Sequence, residues 1–247
     1  LSIVILTISL IFLVSCTGPK TKPTIKIADM GWMSNIQVIN IMKTILEDEL
    51  GYEVEFVPTL WAEPTFIALT KDPPEVDIFA ECWMPNYQPL VDKYVTEKGK
   101  VEIVSTSYIA PQGFVVPTYV IKGDPERGIA PLASNLYSVK QLNDYIYLFD
   151  RDKDGRGDLI GGPKGWLCTE INEWQLESWE LNYDQLIQDE WVALSLLTAA
   201  YQEGEPILSY CYEPTWLSFQ FELTWLETPA YSNEAWNDYK VWKDWKV

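Results

Sequence analysis

Apolar and polar residues follow two different spacings along the chain, one typical of strands and one typical of helices. Residues 24–29 and 52–58 alternate, whereas apolar side chains recur every three or four positions in residues 34–50. Ser34 is the predicted N-cap of that helix and Gly51 its end. Further helices are predicted at 62–69, 85–99, 168–181 and 189–204 and near Ser138, and further strands at 76–81, 101–105 and 206–212. Strands that alternate with helices predict an α/β fold with parallel sheets.

Two stretches interrupt this alternation. Residues 111–123 contain two prolines and two glycines and read as an extended connection between two lobes, and residues 221–229 as a return to the first lobe. The length of 247 residues allows one large domain or two smaller lobes.

The composition excludes several functions. Thirty-six acidic residues against 18 basic ones give a net charge of −18, which repels nucleic acid, so we expect no nucleic-acid partner. Most of this charge serves solubility. The chain has no histidine, which excludes Ser-His-Asp and Cys-His catalysis within it. We therefore expect a protein that is not an enzyme and that needs no cofactor.

The first residues are typical of an export signal. An apolar run at 3–14 ends at Cys16, as in bacterial lipoprotein signals, and a polar tether follows at 17–24. We expect residues 1–16 to be a lipoprotein signal peptide and Cys16 to carry the lipid. An uncleaved anchor or a chance cysteine is the weaker alternative. The expected location is the periplasm or the outer face of the cytoplasmic membrane, with a lipid anchor.

Cys82, Cys168 and Cys211 remain after such a cleavage, and this odd number implies at least one free thiol. One disulfide is possible, and its pairing stays open. No C-x-x-C spacing is present, which argues against a zinc site.

An acidic loop at 150–158 has the first spacings of a calcium-binding loop. Its aspartates are Asp150, Asp152, Asp154 and Asp158. Gly161 stands where such loops carry a bidentate acid. A solvated acidic turn explains the same residues and is the interpretation that we prefer, so we expect no metal site.

Aromatic residues follow the predicted strands at their carboxyl ends, where α/β proteins bind ligands. The stretches "AECWMP" and "YCYEPTW" each place an aromatic residue, a spacer and a proline after a strand, and "GPKGWLCTE" opens a helix. Gly162 and Gly165 allow a close approach of the backbone there. The N–H groups of Leu167 and Cys168 would begin that helix, where an anion is stabilised.

These loops resemble the substrate-binding proteins of glycine betaine and proline betaine ABC importers. The resemblance extends from about Ile25 to Pro229 and includes "GWMSN", "CWMPNY", "DRDKDGRGDLIGGPKGWLC", "AAYQEGEPILSYCYEPTW" and "WLETP". It implies a two-lobed periplasmic-binding-protein fold of type II, with parallel-type sheets in each lobe and a hinge of two crossings. We expect a first lobe at 17–115, a second at 116–213 and a return to the first at 214–247. Because family members continue past "WLETP", we expect the sequence to stop short of a full first lobe.

The resemblance also implies an aromatic box around a trimethylammonium group. The matching positions are Trp83, Trp166 and Tyr212, the last being Trp in close relatives, and Trp32 is a candidate fourth wall. Independently, a quaternary ammonium has no proton to donate and is best met by ring faces, at ~0.5–2 kcal/mol per contact. A tryptophan that merely packs in the core is the alternative for each position.

The other end of the ligand carries a carboxylate. The resemblance implies that the backbone N–H groups of Leu167 and Cys168 bind it, with Tyr87 where relatives often have histidine. Gly162 stands where close relatives have a cysteine, so the resemblance implies that Cys168 lacks a disulfide partner in this loop.

The expected function is the capture of glycine betaine, or of a similar ligand such as proline betaine or choline, for an ABC permease. Choline would leave the backbone donors unused because it has no carboxylate. Two alternatives remain open at this point: a sensor domain with the same pocket, and a carbohydrate-binding protein that stacks sugars on tryptophan.

Overall fold

The computed structural model describes residues 22–59, 61–106 and 108–246. The expected signal peptide, with Cys16, lies outside the described residues. Within these ranges, none of the helices combines the length and the apolar character that a membrane crossing requires.

The first lobe is built around a two-stranded parallel sheet. β1 (Ile25–Asp29) pairs with β2 (Val54–Pro58), with Ile25 opposite Val54. The buried side chains of Ile27 and Ile39 pack between this sheet and α1. Its helices are α1 (Met33–Thr44, continued by a π-helical turn at Ile45–Glu49), α2 (Ala62–Leu69) and α3 (Gln88–Val91, continued by a π-helical turn at Asp92–Glu97).

The second lobe is built around a five-stranded sheet in the order β5-β4-β6-β3-β7. Its strands are β3 (Gln112–Pro117), β4 (Gly157–Ile160), β5 (Tyr183–Leu186), β6 (Leu208–Tyr212) and β7 (Leu223–Trp225). β4 is parallel to β5 and β6, whereas β3 is antiparallel to β6 and β7. The α/β fold is confirmed, but the expectation of a parallel sheet in each lobe is wrong for this lobe, because β3 runs antiparallel to the other four strands.

Further helices follow β3 along the chain. They are α4 (Thr118–Lys122), a 3₁₀ helix (Val139–Tyr145), α5 (Ile146–Phe149), α6 (Leu167–Ser178), α7 (Glu190–Glu203), α8 (Leu217–Gln220) and α9 (Asn233–Lys246). Phe114, Leu159 and Leu208 are fully buried in the core between them. Ser138 caps the 3₁₀ helix through a capping box with Gln141, as the sequence predicted.

Three local predictions are wrong. Residues 76–81 form a single bridge, from Ile78 to Ile27, and residues 101–105 form no strand. Ser34 is not an N-cap, because α1 begins at Met33 and the Ser34 hydroxyl donates a hydrogen bond to Glu81 instead.

The two segments predicted to connect the lobes are neighbours. β3 and β7 pair through Val115 and Trp225 within the five-stranded sheet. After β7, α9 packs against α6, where the rings of Tyr239 and Trp174 lie 5.8 Å apart. The residue bounds of the lobes, and a return of 214–247 to the first lobe, stay predictions.

Candidate functional site

A small pocket lies between the two lobes. The first lobe contributes Trp32, Trp83, Asn86 and Tyr87, and the second contributes Gln112, Trp166, Leu167, Cys168, Tyr210 and Tyr212. All seven residues predicted to bind a ligand are therefore brought together. The cavity measures about 40 Å³. Since one water needs ~10–15 Å³ by such a measure, the pocket has room for a small solute.

Four of the six aromatic residues that line the pocket are linked by edge-to-face ring contacts. The centroids of Trp83 and Tyr212 are 5.5 Å apart and their planes cross at 86°. The ring centroids of Trp166 and Tyr212 are 6.1 Å apart, with an angle of 70° between the planes. Those of Trp166 and Trp32 are 6.0 Å apart, with an angle of 79°. Rings that are nearly perpendicular to their neighbours enclose a space from several sides, whereas rings stacked in parallel would not. We name these four side chains the aromatic box.

Three of these rings are positioned by the ends of helices and strands. Trp32 and Trp166 are the N-cap residues of α1 and α6, and Tyr212 is the last residue of β6. Trp83 follows the chain segment that bridges β1 at Ile78. All four positions lie at the carboxyl ends of strands or in the loops that leave them, where ligands bind in α/β proteins.

A helix N-terminus faces the same pocket. α6 begins at Leu167, and its N-cap residue makes no side-chain capping bond. The N–H groups of Leu167 and Cys168 therefore have no acceptor within the helix. Gly165 has φ +91° just before the helix, and a Cβ there would lie 2.3 Å from the ring of Trp61 in the first lobe. Glycine is required at this position, both for its conformation and for the close approach of the two lobes.

Sequence reasoning missed Asn86, Gln112 and Tyr210 in the pocket wall. Tyr210 is two residues before Tyr212 on β6 and therefore shares its face of the sheet. Gln112 is paired with Tyr212 across the β3–β6 ladder. The period of two within β6 could have revealed Tyr210, whereas Gln112 becomes visible only once strand pairing is known. The Tyr210 hydroxyl donates to Gln112 Oε1 at 2.9 Å, which leaves the Gln112 amide group as a donor.

The ionisable groups at this end of the pocket are neutral at pH 7. Burial raises the pKa of the Cys168 thiol to about 11. Burial, followed by Cys168 and Cys82, also raises the pKa of the Tyr87 hydroxyl. Neither group therefore opposes an anion here, and Tyr87 keeps its proton for donation.

The described cysteines Cys82, Cys168 and Cys211 are all free thiols. A Cβ atom at Gly162 would lie 3.9 Å from Cys168 Sγ, so a cysteine at 162 would be close to this thiol. Cys168 is thus a free thiol that packs beside Gly162 in this loop.

Two buried carboxyl groups, which sequence reasoning did not single out, accept hydrogen bonds from the polar atoms of the Trp32 and Tyr212 side chains. Glu81 accepts hydrogen bonds from Trp32 Nε1 (2.5 Å), from Ser34 Oγ (2.9 Å) and from the Tyr108 hydroxyl. Glu190 accepts from the Tyr212 hydroxyl and from the backbone N–H of Met33, the latter at 3.1 Å. Burial raises the pKa of the Glu190 carboxyl, and its two hydrogen bonds act in the opposite direction. Nothing in a single sequence separates these two residues from the other acidic side chains.

Three carboxylates of the acidic loop at 150–158 lie close together. Oxygen atoms of Asp150, Asp152 and Asp158 lie within 4.8 Å of one another, and Asp154 is outside this group. The N–H of Asp154 donates to Asp150 and Asp152, at 3.1 Å in both cases. These bonds within the loop are those of an ordinary acidic turn, so calcium binding stays a weak hypothesis.

Comparison with known proteins gives consistent matches. The sequence profile of the substrate-binding domain of ABC-type glycine betaine transport systems matches residues 23–245. A glycine betaine/proline betaine-binding periplasmic protein of Salmonella typhimurium is 27% identical over 189 residues, which cover 73% of this chain and 50% of that protein. The chain thus spans about half the length of this curated relative.

Solved structures share the fold. Lactococcal OpuAC, in its closed conformation with glycine betaine, superposes with a TM-score of 0.64 at 18% identity, over 84% of this chain and 72% of that one. An ABC-transporter choline-binding protein in complex with choline gives a TM-score of 0.59 at 20% identity, over 83% and 65%. Likeness at this identity concerns the fold alone.

Proposed function

Because the chain belongs to the family of substrate-binding domains of ABC-type glycine betaine transport systems, we propose that it captures glycine betaine, or a similar quaternary ammonium osmolyte, for an ABC importer. The observation that carries this proposal is the aromatic box, whose four rings come from both lobes and surround one small pocket. The protein makes and breaks no covalent bond in this role.

The aromatic box binds the trimethylammonium group. This cation is bulky and has no N–H group, so it cannot satisfy hydrogen-bond acceptors, but it is attracted to the faces of Trp and Tyr rings. Each contact contributes ~0.5–2 kcal/mol, and most where water is excluded. The buried carboxyl groups of Glu81 and Glu190 add acidic character beside Trp32 and Tyr212, which also favours a cation over an anion.

The carboxylate of the ligand binds at the N-terminus of α6. Leu167 and Cys168 offer backbone N–H groups, and the positive end of the helix dipole favours a negative charge there. The Gln112 amide and the Tyr87 hydroxyl are further donors in the same wall. A zwitterion uses both ends of the pocket, whereas choline uses the aromatic end alone, and this ranks glycine betaine above choline.

The wider role follows the family. We place the protein outside the cytoplasm, in the periplasm or at the outer face of the cytoplasmic membrane, with a lipid on Cys16 as its anchor. Closure of the lobes around the ligand produces the form that the ABC permease recognises. No cofactor takes part.

Isothermal titration calorimetry with three solutes tests the proposal. We expect saturable binding of glycine betaine, weaker binding of choline and no heat with maltotriose, because the small pocket excludes an oligosaccharide. Heat with maltotriose and none with glycine betaine would instead support a carbohydrate-binding protein.

A further inference from the structure

The first turn of α1 lacks a cap of its own. Its N-cap residue is Trp32, which makes no side-chain capping bond, and no acidic residue lies in the first turn. The first intrahelical bond runs from the N–H of Ile36 to the carbonyl of Trp32. The N–H groups of Met33 and Ser34 are therefore left without helical acceptors, and both residues are buried. Buried N–H groups must find acceptors elsewhere.

The second lobe supplies those acceptors. Glu190 Oε2 accepts from the Met33 N–H at 3.1 Å. The Tyr212 hydroxyl donates its proton to Glu190 Oε1, and the backbone of Ser34 lies near enough to this hydroxyl to act on its pKa, in the lowering direction. Glu190 is the first residue of α7 and only 6% exposed, and Tyr212 ends β6, so both residues belong to the lobe opposite α1.

The carboxyl group of Glu190 therefore has two roles. It orients the ring of Tyr212, which is a wall of the aromatic box, and it caps a helix across the cleft. We propose that Glu190 is a positioning residue and a closure latch, which completes the aromatic box only when the lobes come together. The choice of ligand in this inference rests on the proposed function. The contact between Glu190 and Met33 does not depend on that function. The latch also gives a reason for tyrosine at 212, since tryptophan has no hydroxyl to donate to Glu190.

Hydrogen bonding, more than charge, carries this role. The side chain of glutamine has nearly the same shape, and its Oε1 can accept from the Met33 N–H while its Nε2 donates to the Tyr212 hydroxyl. Glu190→Gln should therefore keep the latch, whereas Glu190→Ala should open it. Tyr212→Phe keeps a ring face in the box but removes the hydroxyl that donates to Glu190.

Two measurements test the latch. The first is amide hydrogen exchange at Met33 and Ser34, followed by NMR with and without saturating glycine betaine. Amides of a first helical turn exchange rapidly when no acceptor is present. We expect exchange at both amides to be faster in Glu190→Ala than in the wild type, and close to wild type in Glu190→Gln. Glu203→Ala, at the exposed end of the same helix, is the matched control and should change neither rate.

The second measurement is the affinity for glycine betaine. We expect it to be about tenfold weaker in Glu190→Ala, weaker also in Tyr212→Phe, and restored most of the way in Glu190→Gln. Unchanged exchange at Met33 and Ser34 in Glu190→Ala, under both conditions, would overturn the latch. Weakening in Glu190→Gln as large as in Glu190→Ala would overturn its hydrogen-bonding basis. If the wild type bound no glycine betaine but the exchange rates changed as expected, the latch would stand and the ligand assignment would fail.

Discussion

Trp83→Ala is expected to weaken binding of glycine betaine by at least tenfold. Trp83 lines the pocket and meets Tyr212 edge to face at 5.5 Å, so its removal deletes one wall and admits water beside the cation. A desolvated cation–π contact is worth up to ~2 kcal/mol, and ~1.4 kcal/mol corresponds to a factor of ten. Isothermal titration calorimetry measures the change directly.

Two controls accompany this variant. Trp83→Phe keeps a ring face and should lose less affinity than Trp83→Ala. Phe219→Ala removes an aromatic side chain that is 90% exposed and outside the pocket, and it should bind as the wild type does. Equal affinities in Trp83→Ala and the wild type would exclude Trp83 from the site.

Gly157→Ala is expected to cause a large loss of stability in the second lobe. A Cβ at this buried position on β4 would lie 2.1 Å from the ring of Tyr183 on the neighbouring strand. That ring is held from its far side, because its hydroxyl donates to the carbonyl of Leu142 at 2.8 Å. Overpacking of this kind costs ~1–3 kcal/mol, which lowers the melting temperature of a chain of this size by roughly 2–12 °C.

Gly113→Ala is the matched control for that variant. Gly113 lies on β3 of the same sheet, and a Cβ there would meet its nearest atom, in the ring of Trp225, at 3.7 Å. This is an ordinary contact distance, so we expect a change in the free energy of unfolding within about 0.5 kcal/mol. Differential scanning calorimetry of both variants tests the argument, and equal melting temperatures would contradict the packing described around Tyr183.

The sequence predicted the elements whose signal is local. α2 coincides with the predicted range, and α7 (Glu190–Glu203) lies between its N-cap Asp189 and its C-cap Gly204, within one residue of the predicted range at each end. β4 and β5 were missed because they are four residues long and lie within an acidic, turn-rich stretch. Their stability comes from pairing with β6 and from the packing of Tyr183, which are contacts between residues that are distant in sequence.

The same distinction holds for the site. Trp83, Trp166 and Tyr212 are visible in sequence because each occupies a loop with a recognisable family motif. Glu81 and Glu190 are not visible, since their role depends on partners 49 and 22 residues away and on burial that composition does not reveal. Exposure is equally hidden from the sequence, since Trp191 is 54% exposed although it is next to the buried Glu190 on α7.

The central claim is that the aromatic box recognises the positive charge of the ligand and not merely its shape. The direct test compares glycine betaine with 3,3-dimethylbutanoate, in which carbon replaces the quaternary nitrogen and the shape is retained. Calorimetric titration in about 1 M NaCl, where the Debye length is ~3 Å, removes most of the long-range repulsion between the acidic protein and this anion. We predict that glycine betaine binds at least ~30-fold more tightly, as expected for several ring faces around one cation. Equal affinities for the two compounds would contradict the claim.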